Sequence, residues 1–231
     1  MRISIVVPVL DESADCIRSL AALSNRADLF EVIVVDSSRD YNVCFDLPGD
    51  ATGTNTSLCW VGSIHKGRAR QMNLGASIAT GDVLLFLHAD TTLPSCDLST
   101  LLKALPANGW GRFDVCFDYR AGWTRMIAAM MNLRSSVTGI ATGDQALFVT
   151  RTLFSRLGGY SDLPIMEDID LSRRLKRTAR PLRVRQAVTT SARRWRDNGI
   201  IKTILLMWVL RFAYWLGANP NYLARIYSGK C

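Results

Sequence analysis

Three stretches of this chain run through nearly continuous apolar residues and then stop on acids: ISIVVPVLDE from Ile3, EVIVVD from Glu31 and VLLFLHAD from Val83. Short runs this rich in β-branched residues, with no polar alternation, fit strands covered on both faces, which are parallel strands joined by helical crossovers. They predict an open, mostly parallel α/β sheet with helices on both faces. Their common ending places Asp11, Glu12, Asp36, His88 and Asp90 at the carboxyl ends of strands, where such sheets hold their ligands.

The segments between them read as crossovers. DESADCIRSLAAL has the acidic start of a helix, with Ala14, Ile17 and Ala21 at helical spacing. In GRARQMNLGASIAT, Ala69, Met72, Ala76 and Ala79 recur at spacings of three, four and three, predicting a helix whose small residues let it pack closely on the sheet. SLCWVGS from Ser57 is a further short strand. Tyr41 to Thr56, rich in Gly, Pro, Asn, Asp and Thr, reads as irregular connection.

The second half changes character. FDVCFDY from Phe113 alternates with period two, which predicts a sheet with one exposed face and antiparallel or edge pairing. Trp123, Met126, Ile127, Met130 and Met131 form an apolar stripe assigned to the core. Gly143 and Asp144 precede the strand QALFV, and RTLFSRLGGY reads as a helix closing on Gly158 and Gly159. LPIMEDIDLSRRLKR puts Glu167 and Asp168 at a helix N-terminus, where the dipole favours ionised acids. In IIKTILLMWVLRFAYWLGANP the apolar run between Lys202 and Arg211 falls far short of the roughly 20 residues of a membrane span. That helix is expected on the core, on a second copy of the chain, or in a membrane surface with Trp208, Tyr214 and Trp215 at the lipid boundary. The expected organisation is one domain over residues 1–198 and a C-terminal helical segment over 199–231.

Twenty-eight Lys and Arg against 20 Asp and Glu give 231 residues a net charge of +8, which favours contact with phosphates in a nucleotide, an anionic lipid or a nucleic acid. Strand-end carboxylates argue against nucleic acid, because they repel phosphate unless a cation intervenes. Six cysteines without CxxC spacing argue against a zinc site and for free thiols in a reducing cytoplasm. The opening MRISIVVPVL is broken by Asp11 and Glu12 with no small-residue cleavage site, so a secretory signal is not expected. The expected location is cytoplasmic, extending to the inner face of the membrane if the last helix is interfacial. No GxGxxG follows a strand, which argues against a nicotinamide enzyme, and PVLDES stands where a nucleotidyltransferase would carry a Gly-rich loop.

Carboxylates at strand ends suit a reaction that expels a diphosphate. Such a reaction uses a hard divalent cation on an oxygen ligand such as Asp90, a base such as Asp168 for the attacking hydroxyl, and a nucleoside pocket near Asp36. Five motifs then fall in order: VVPVLDE, VVDSSRD, LLFLHAD, MEDIDLSRRL and SARRW. Together they resemble the inverting, metal-dependent glycosyltransferases of family 2, with the GT-A nucleotide-diphospho-sugar fold. GRARQMNLGA, GDVLLFLHADT, GDQALFV, MEDIDLSRRL and TSARRW further resemble the bacterial subgroup labelled radical-SAM/selenodomain-associated transferase 2.

The resemblance implies that Pro8, Asp11 and Asp36 line the nucleoside pocket and that Arg68 or Arg70 approaches the base or diphosphate. It implies that Asp90 ligates Mg²⁺ or Mn²⁺ and that Asp168 is the base. Arg193, Arg194 and Trp195 would lie over the diphosphate or close the site, while Gly143, Asp144 and Glu167 would border the sugar and acceptor. His88 stands where the DxD pattern has its first acid, so the cation would rely on one protein carboxylate with phosphate and water. His88 would then donate to ribose or phosphate or be a packed histidine. Ser191 replaces the first residue of QxxRW. The implied partners are a nucleotide-sugar donor, with UDP-sugar as the default and a GDP-sugar next, and an acceptor that is lipid or membrane-proximal. Homodimerisation and peripheral membrane association are further expectations. The competing reading is a non-catalytic basic module on the same fold, binding anionic membrane or nucleic acid.

Overall fold

The computed structural model describes residues 1–10, 20, 22–38, 44–47 and 56–228. The helix expected in DESADCIRSLAAL, including Asp11, and most of the Tyr41–Thr56 connection lie outside the described residues. The elements in chain order are β1 (Ile3–Val9), β2 (Glu31–Asp36), β3 (Cys44–Leu47), β4 (Ser57–Gly62), α1 (Arg68–Ile78), β5 (Val83–Phe86), β6 (Thr91–Thr92), α2 (Leu98–Leu101), β7 (Trp110–Phe117) and α3 (Gly122–Thr138). Then come β8 (Phe148–Thr150), α4 (Arg151–Arg156), α5 (Glu167–Lys176), β9 (Leu182–Thr190), α6 (Arg193–Asn198), α7 (Ile200–Trp215) and α8 (Pro220–Ser228).

Among the described residues, nine strands form one sheet in the order β3-β4-β2-β1-β5-β8-β7-β9-β6. β4, β2, β1 and β5 are mutually parallel, as the apolar runs require. β1 and β2 are buried at every position. Side chains alternate across the sheet, so Ile5 and Val7 enter one core with Val32 and Val34, while Val6 enters the other with Ile33 and Val35. α1 covers the second core through Ala69, Met72 and Ala76. It approaches so closely at Gly75 that a β-carbon there would collide with Val6 Cγ1. The result is an α/β fold of the GT-A type, with helices on both faces of a mixed sheet and a helical segment at its C-terminal end.

Three expectations are corrected. Residues 44–47, within the stretch read as irregular connection, form β3, an antiparallel edge strand on β4. β7 does not expose one face: it is buried nearly throughout, parallel to β9 and antiparallel to β8. Its polar alternation comes from an internal ion cluster, in which Arg112 pairs with Asp114 and Arg183 of β9 reaches the same carboxylate at 2.7 Å. The stripe of α3 is only partly core: Ile127 is buried, whereas Met126 and Met130 are 53% and 42% exposed. α3 packs on β7 through Arg112, Asn132 and Ser136, and that polar contact turns the two methionines outward.

Candidate active site

A cleft opens at the carboxyl ends of β1 and β5. Its outer part, of about 610 Å³, is lined by Pro8, Arg68, Asp90, Glu167, Arg193 and Arg194 among others. An inner chamber of about 170 Å³ continues from it past His88, Gly143, Asp144, Asp168 and Trp195. The outer volume lies within the range of small-molecule sites.

Local structure fixes each wall. The paired ends of β1 and β2 are tied to α1 by Gln71, which is 2% exposed and donates from Nε2 to the carbonyls of Val9 at 2.7 Å and Val35 at 2.9 Å. Opposite, Met166 precedes α5 in the left-handed region at φ 69°, a conformation a non-glycine residue holds only under constraint. It is buried against Leu210 and Leu223, which fasten α7 and α8 beneath the turn. The turn delivers Glu167 and Asp168 to the cleft from the first turn of α5. Asp168 is oriented by backbone donors, its Oδ2 accepting from Gly143 N at 2.9 Å and its Oδ1 from Ile169 N at 2.7 Å. Gly143 must be a glycine for a separate reason, since a β-carbon there would strike the His88 ring. The closeness seats His88 Nδ1 3.4 Å from Asp144 Oδ1.

Electrostatics separate the acids. Burial works against the charge of Asp144, but His88, Arg68 and Arg211 outweigh it and hold its carboxyl below the usual range. For Glu167 the balance reverses. Burial, followed by the adjacent Asp168, pushes its carboxyl above the usual range, so the helix dipole does not decide its ionisation as the sequence suggests. Burial works against the charge of Arg68, but Tyr227, followed by Glu167, Asp144 and Asp168, outweighs it and raises its guanidinium above the usual range.

The fold thus brings Pro8, Arg68, His88, Asp90, Gly143, Asp144, Glu167, Asp168, Arg193, Arg194 and Trp195 to one cleft. Two residues fall elsewhere. Arg70 is paired with Asp162 through two bonds of 2.8 and 2.7 Å on the outer surface. Asp36 is 6% exposed and accepts from Ser38 N at 2.7 Å, which ties the turn after β2 rather than lining the cleft. Sequence reasoning missed Gln71, Met207, Arg211 and Tyr227. Tyr227 of α8 accepts a hydrogen bond from Arg194, whose guanidinium carbon lies 3.8 Å from its ring centre. The C-terminal helices are therefore a wall of the cleft, a role no local motif marks.

Among the described residues, no three His, Cys, Asp or Glu side chains converge as a ready-made metal centre. The donor that fits a hard cation is Asp90, an exposed carboxylate at the mouth of the cleft, with His88 two residues before it. One carboxylate suits Mg²⁺ or Mn²⁺ when substrate phosphate and water supply the remaining ligands.

Residues 57–156 match the sequence profile of glycosyl transferase family 2. No curated protein matches the chain in a sequence search. Among solved structures it is similar to the mannosyltransferase PcManGT from Pyrobaculum calidifontis in complex with GDP-Man and Mn²⁺, at 22% identity and a TM-score of 0.57 over 82% of this chain and 56% of that one. It is also similar to residues 1–349 of TarS from S. aureus, at 17% identity and a TM-score of 0.59 over 83% of this chain and 61% of that one. The same TarS fragment in complex with UDP aligns equally well, at 17% identity and a TM-score of 0.59 over 83% and 60%. This chain thus spans less than two thirds of the length of those relatives. Its central 100 residues carry the family 2 glycosyl transferase profile on a GT-A-type fold.

Proposed function

We propose that the chain is an inverting glycosyltransferase, moving a sugar from a nucleoside-diphosphate sugar to an acceptor hydroxyl. The observation that carries this reading is that Asp90 and Asp168 line one chamber together with Arg68 and Arg194. Asp168 takes the proton of the acceptor hydroxyl as its oxygen bonds to the anomeric carbon. The bond from that carbon to the diphosphate breaks, and its electron pair leaves with the nucleoside diphosphate. A single displacement inverts the configuration and needs no protein nucleophile.

Asp90 is the residue that would hold Mg²⁺ or Mn²⁺, with His88 beside it; when bound, the cation neutralises charge developing on the departing diphosphate. Arg68 and Arg194 contribute fixed positive charge to the same oxygens. Asp144 holds the His88 ring in orientation rather than leaving it a merely packed histidine. The relatives bound to GDP-Man and to UDP support a nucleotide donor, with UDP-sugar the first to test and GDP-mannose the second. The motif set also supports the radical-SAM/selenodomain-associated subgroup. The exposed apolar side of α7 supports peripheral attachment at the cytoplasmic membrane face, although no helix among the described residues is long and apolar enough to cross a membrane.

Thermal stabilisation by UDP, GDP, CDP and TDP, each with and without Mn²⁺, tests the reading. A ligand at 100 times its dissociation constant adds about 2.7 kcal/mol, a clear shift of the midpoint. The expected result is a shift for one nucleotide that grows with Mn²⁺. No shift with any of the four overturns the proposal.

A further inference from the structure

The inner chamber has a second exit. Between α3 and α7 runs a groove of about 180 Å³ walled by Ile127, Met130 and Met131 on one side and Ile204, Met207 and Trp208 on the other. Its inner end is Asp144 and Trp195, which also line the chamber, so groove and cleft meet at the sugar-facing side. Its outer end reaches a broad apolar surface. On α3, Leu133 and Val137 are 65% and 77% exposed, and on α7, Leu205, Trp208 and Phe212 are 58%, 60% and 61% exposed. Apolar exposure on this scale marks a face that meets something apolar.

Two cations stand in this apolar setting. Arg134 of α3 and Arg211 of α7 both line the groove, and Nε and Nη2 of Arg134 are buried with no hydrogen-bond partner. Neither arginine forms an ion pair among the described residues. Burial and the neighbouring Arg211 lower the Arg134 guanidinium to about 10, while the fields of Asp168 and Asp144 support its charge, so it remains cationic at neutral pH. Buried donors without partners are costly, and the guanidinium fork matches the paired oxygens of a carboxylate or a phosphate, of which a phosphate has oxygens enough to span two guanidinium groups.

We propose that this groove binds the apolar chain of an amphiphilic acceptor whose polar head carries the attacking hydroxyl and a phosphate held by Arg134 and Arg211. The word acceptor rests on the transferase reading; the binding site itself does not. A chain entering from the exposed face and a phosphate on the two arginines bring the head of the molecule beside Asp144 and Asp168, where the sugar is transferred. The exposed apolar surface is then the part of the protein that meets the lipid phase from which the acceptor is drawn.

The test uses the full chain and dodecyl phosphate below its micelle concentration, read by the fluorescence of Trp195 and Trp208 and by the thermal midpoint. Dodecanol, inorganic phosphate, and phosphatidylcholine vesicles with and without phosphatidylglycerol serve as comparisons. The expected result is saturable binding of dodecyl phosphate at least tenfold tighter than of either half-molecule. Arg134→Gln should weaken it about tenfold, the loss of one charged hydrogen-bond set. Met130→Glu, at a 42% exposed position, should weaken dodecyl phosphate and dodecanol alike. Equal binding of dodecanol and dodecyl phosphate overturns the proposal, as does a signal seen only with vesicles and unchanged by Arg134→Gln. Nucleotide stabilisation without dodecyl phosphate binding sinks this inference and leaves the transferase reading standing. Dodecyl phosphate binding without nucleotide binding does the reverse.

Discussion

Replacing Asp114 with Ala removes the carboxylate shared by two arginines in the middle of the sheet. Asp114 and Arg112 are 8% and 2% exposed, so neither charge has access to bulk water. Without Asp114, Arg112 keeps only the carbonyls of Phe113 and Asn132 and the Ser136 hydroxyl as acceptors. Stranding a buried charge in this way costs about 3–5 kcal/mol, and the remaining acceptors put the expectation near the low end, about 3 kcal/mol. Arg183 reaches the same carboxylate, but its side chain is 42% exposed, and Arg183→Ala should cost no more than about 1 kcal/mol. Urea denaturation followed by circular dichroism separates the two. With a slope of about 3 kcal/mol/M, Asp114→Ala should lower the midpoint by about 1 M and Arg183→Ala by about a third of that.

The pH dependence of Asp114 has a definite sign. Burial works against its charge, yet the bonds from Arg183 and Arg112 outweigh it and lower its carboxyl in the folded state. The unfolded chain therefore binds the proton first as pH falls. The stabilisation is complete above the ordinary value of 3.8 and is lost as pH drops through the folded value. Equal midpoints for the two variants, or wild-type and Asp114→Ala curves that stay parallel below pH 4, would refute the buried-cluster account.

Further outcomes follow from the cleft. Asp168→Asn should lower the rate of sugar transfer by about 10²–10⁴ while leaving nucleotide stabilisation intact, and loss of both together would assign Asp168 to binding instead. Asp90→Ala should abolish the Mn²⁺-dependent part of the nucleotide shift, measured calorimetrically with and without metal. Gly143→Ala should push the His88 ring off Asp144 and reduce turnover, visible as a change in the His88 imidazole NMR signals; an unchanged ring signal contradicts the packing. Because the folded state holds the Glu167 proton above its ordinary value of 4.5, it binds more protons than the unfolded chain there, and stability falls as pH rises through that interval. Glu167→Gln should flatten this part of the melting-temperature profile.

Much of the fold was legible because burial on both faces leaves an unmistakable pattern. Val32 to Val35 have no polar residue among them, and Asp36 marks where the strand leaves the core. β7 was misread for a related reason: period two reports polarity, not water, and Arg112 with Asp114 satisfies each other inside the sheet as readily as solvent would satisfy them outside. Arg68 and Arg70 could not be told apart because both belong to the same helical turn; only Asp162, some ninety residues on, draws Arg70 outward. The motif acids were visible as strand-end or helix-start residues, whereas the pairing of His88 with Asp144 depends on a glycine and a tertiary contact. Arg134, Arg211 and Tyr227 carry no local mark, since each sits within a helix whose pattern would look ordinary without it.

The amide of Gln71 has a consequence for how ligands enter. It adds a bond to the carbonyls of Val9 and Val35 where β1 and β2 are still paired and Ser37 N also donates to Val9 O, so α1 is tied to the strand ends that floor the cleft mouth. A ligand arriving there meets a floor that is already fixed. The ordering cost of the site is met during folding, and binding energy is left for contacts with the ligand itself. Shortening the strut by one methylene, as in Gln71→Asn, would draw the amide away from both carbonyls and leave its buried N–H donors without those acceptors, loosening the seam between helix and sheet that each ligand rests on.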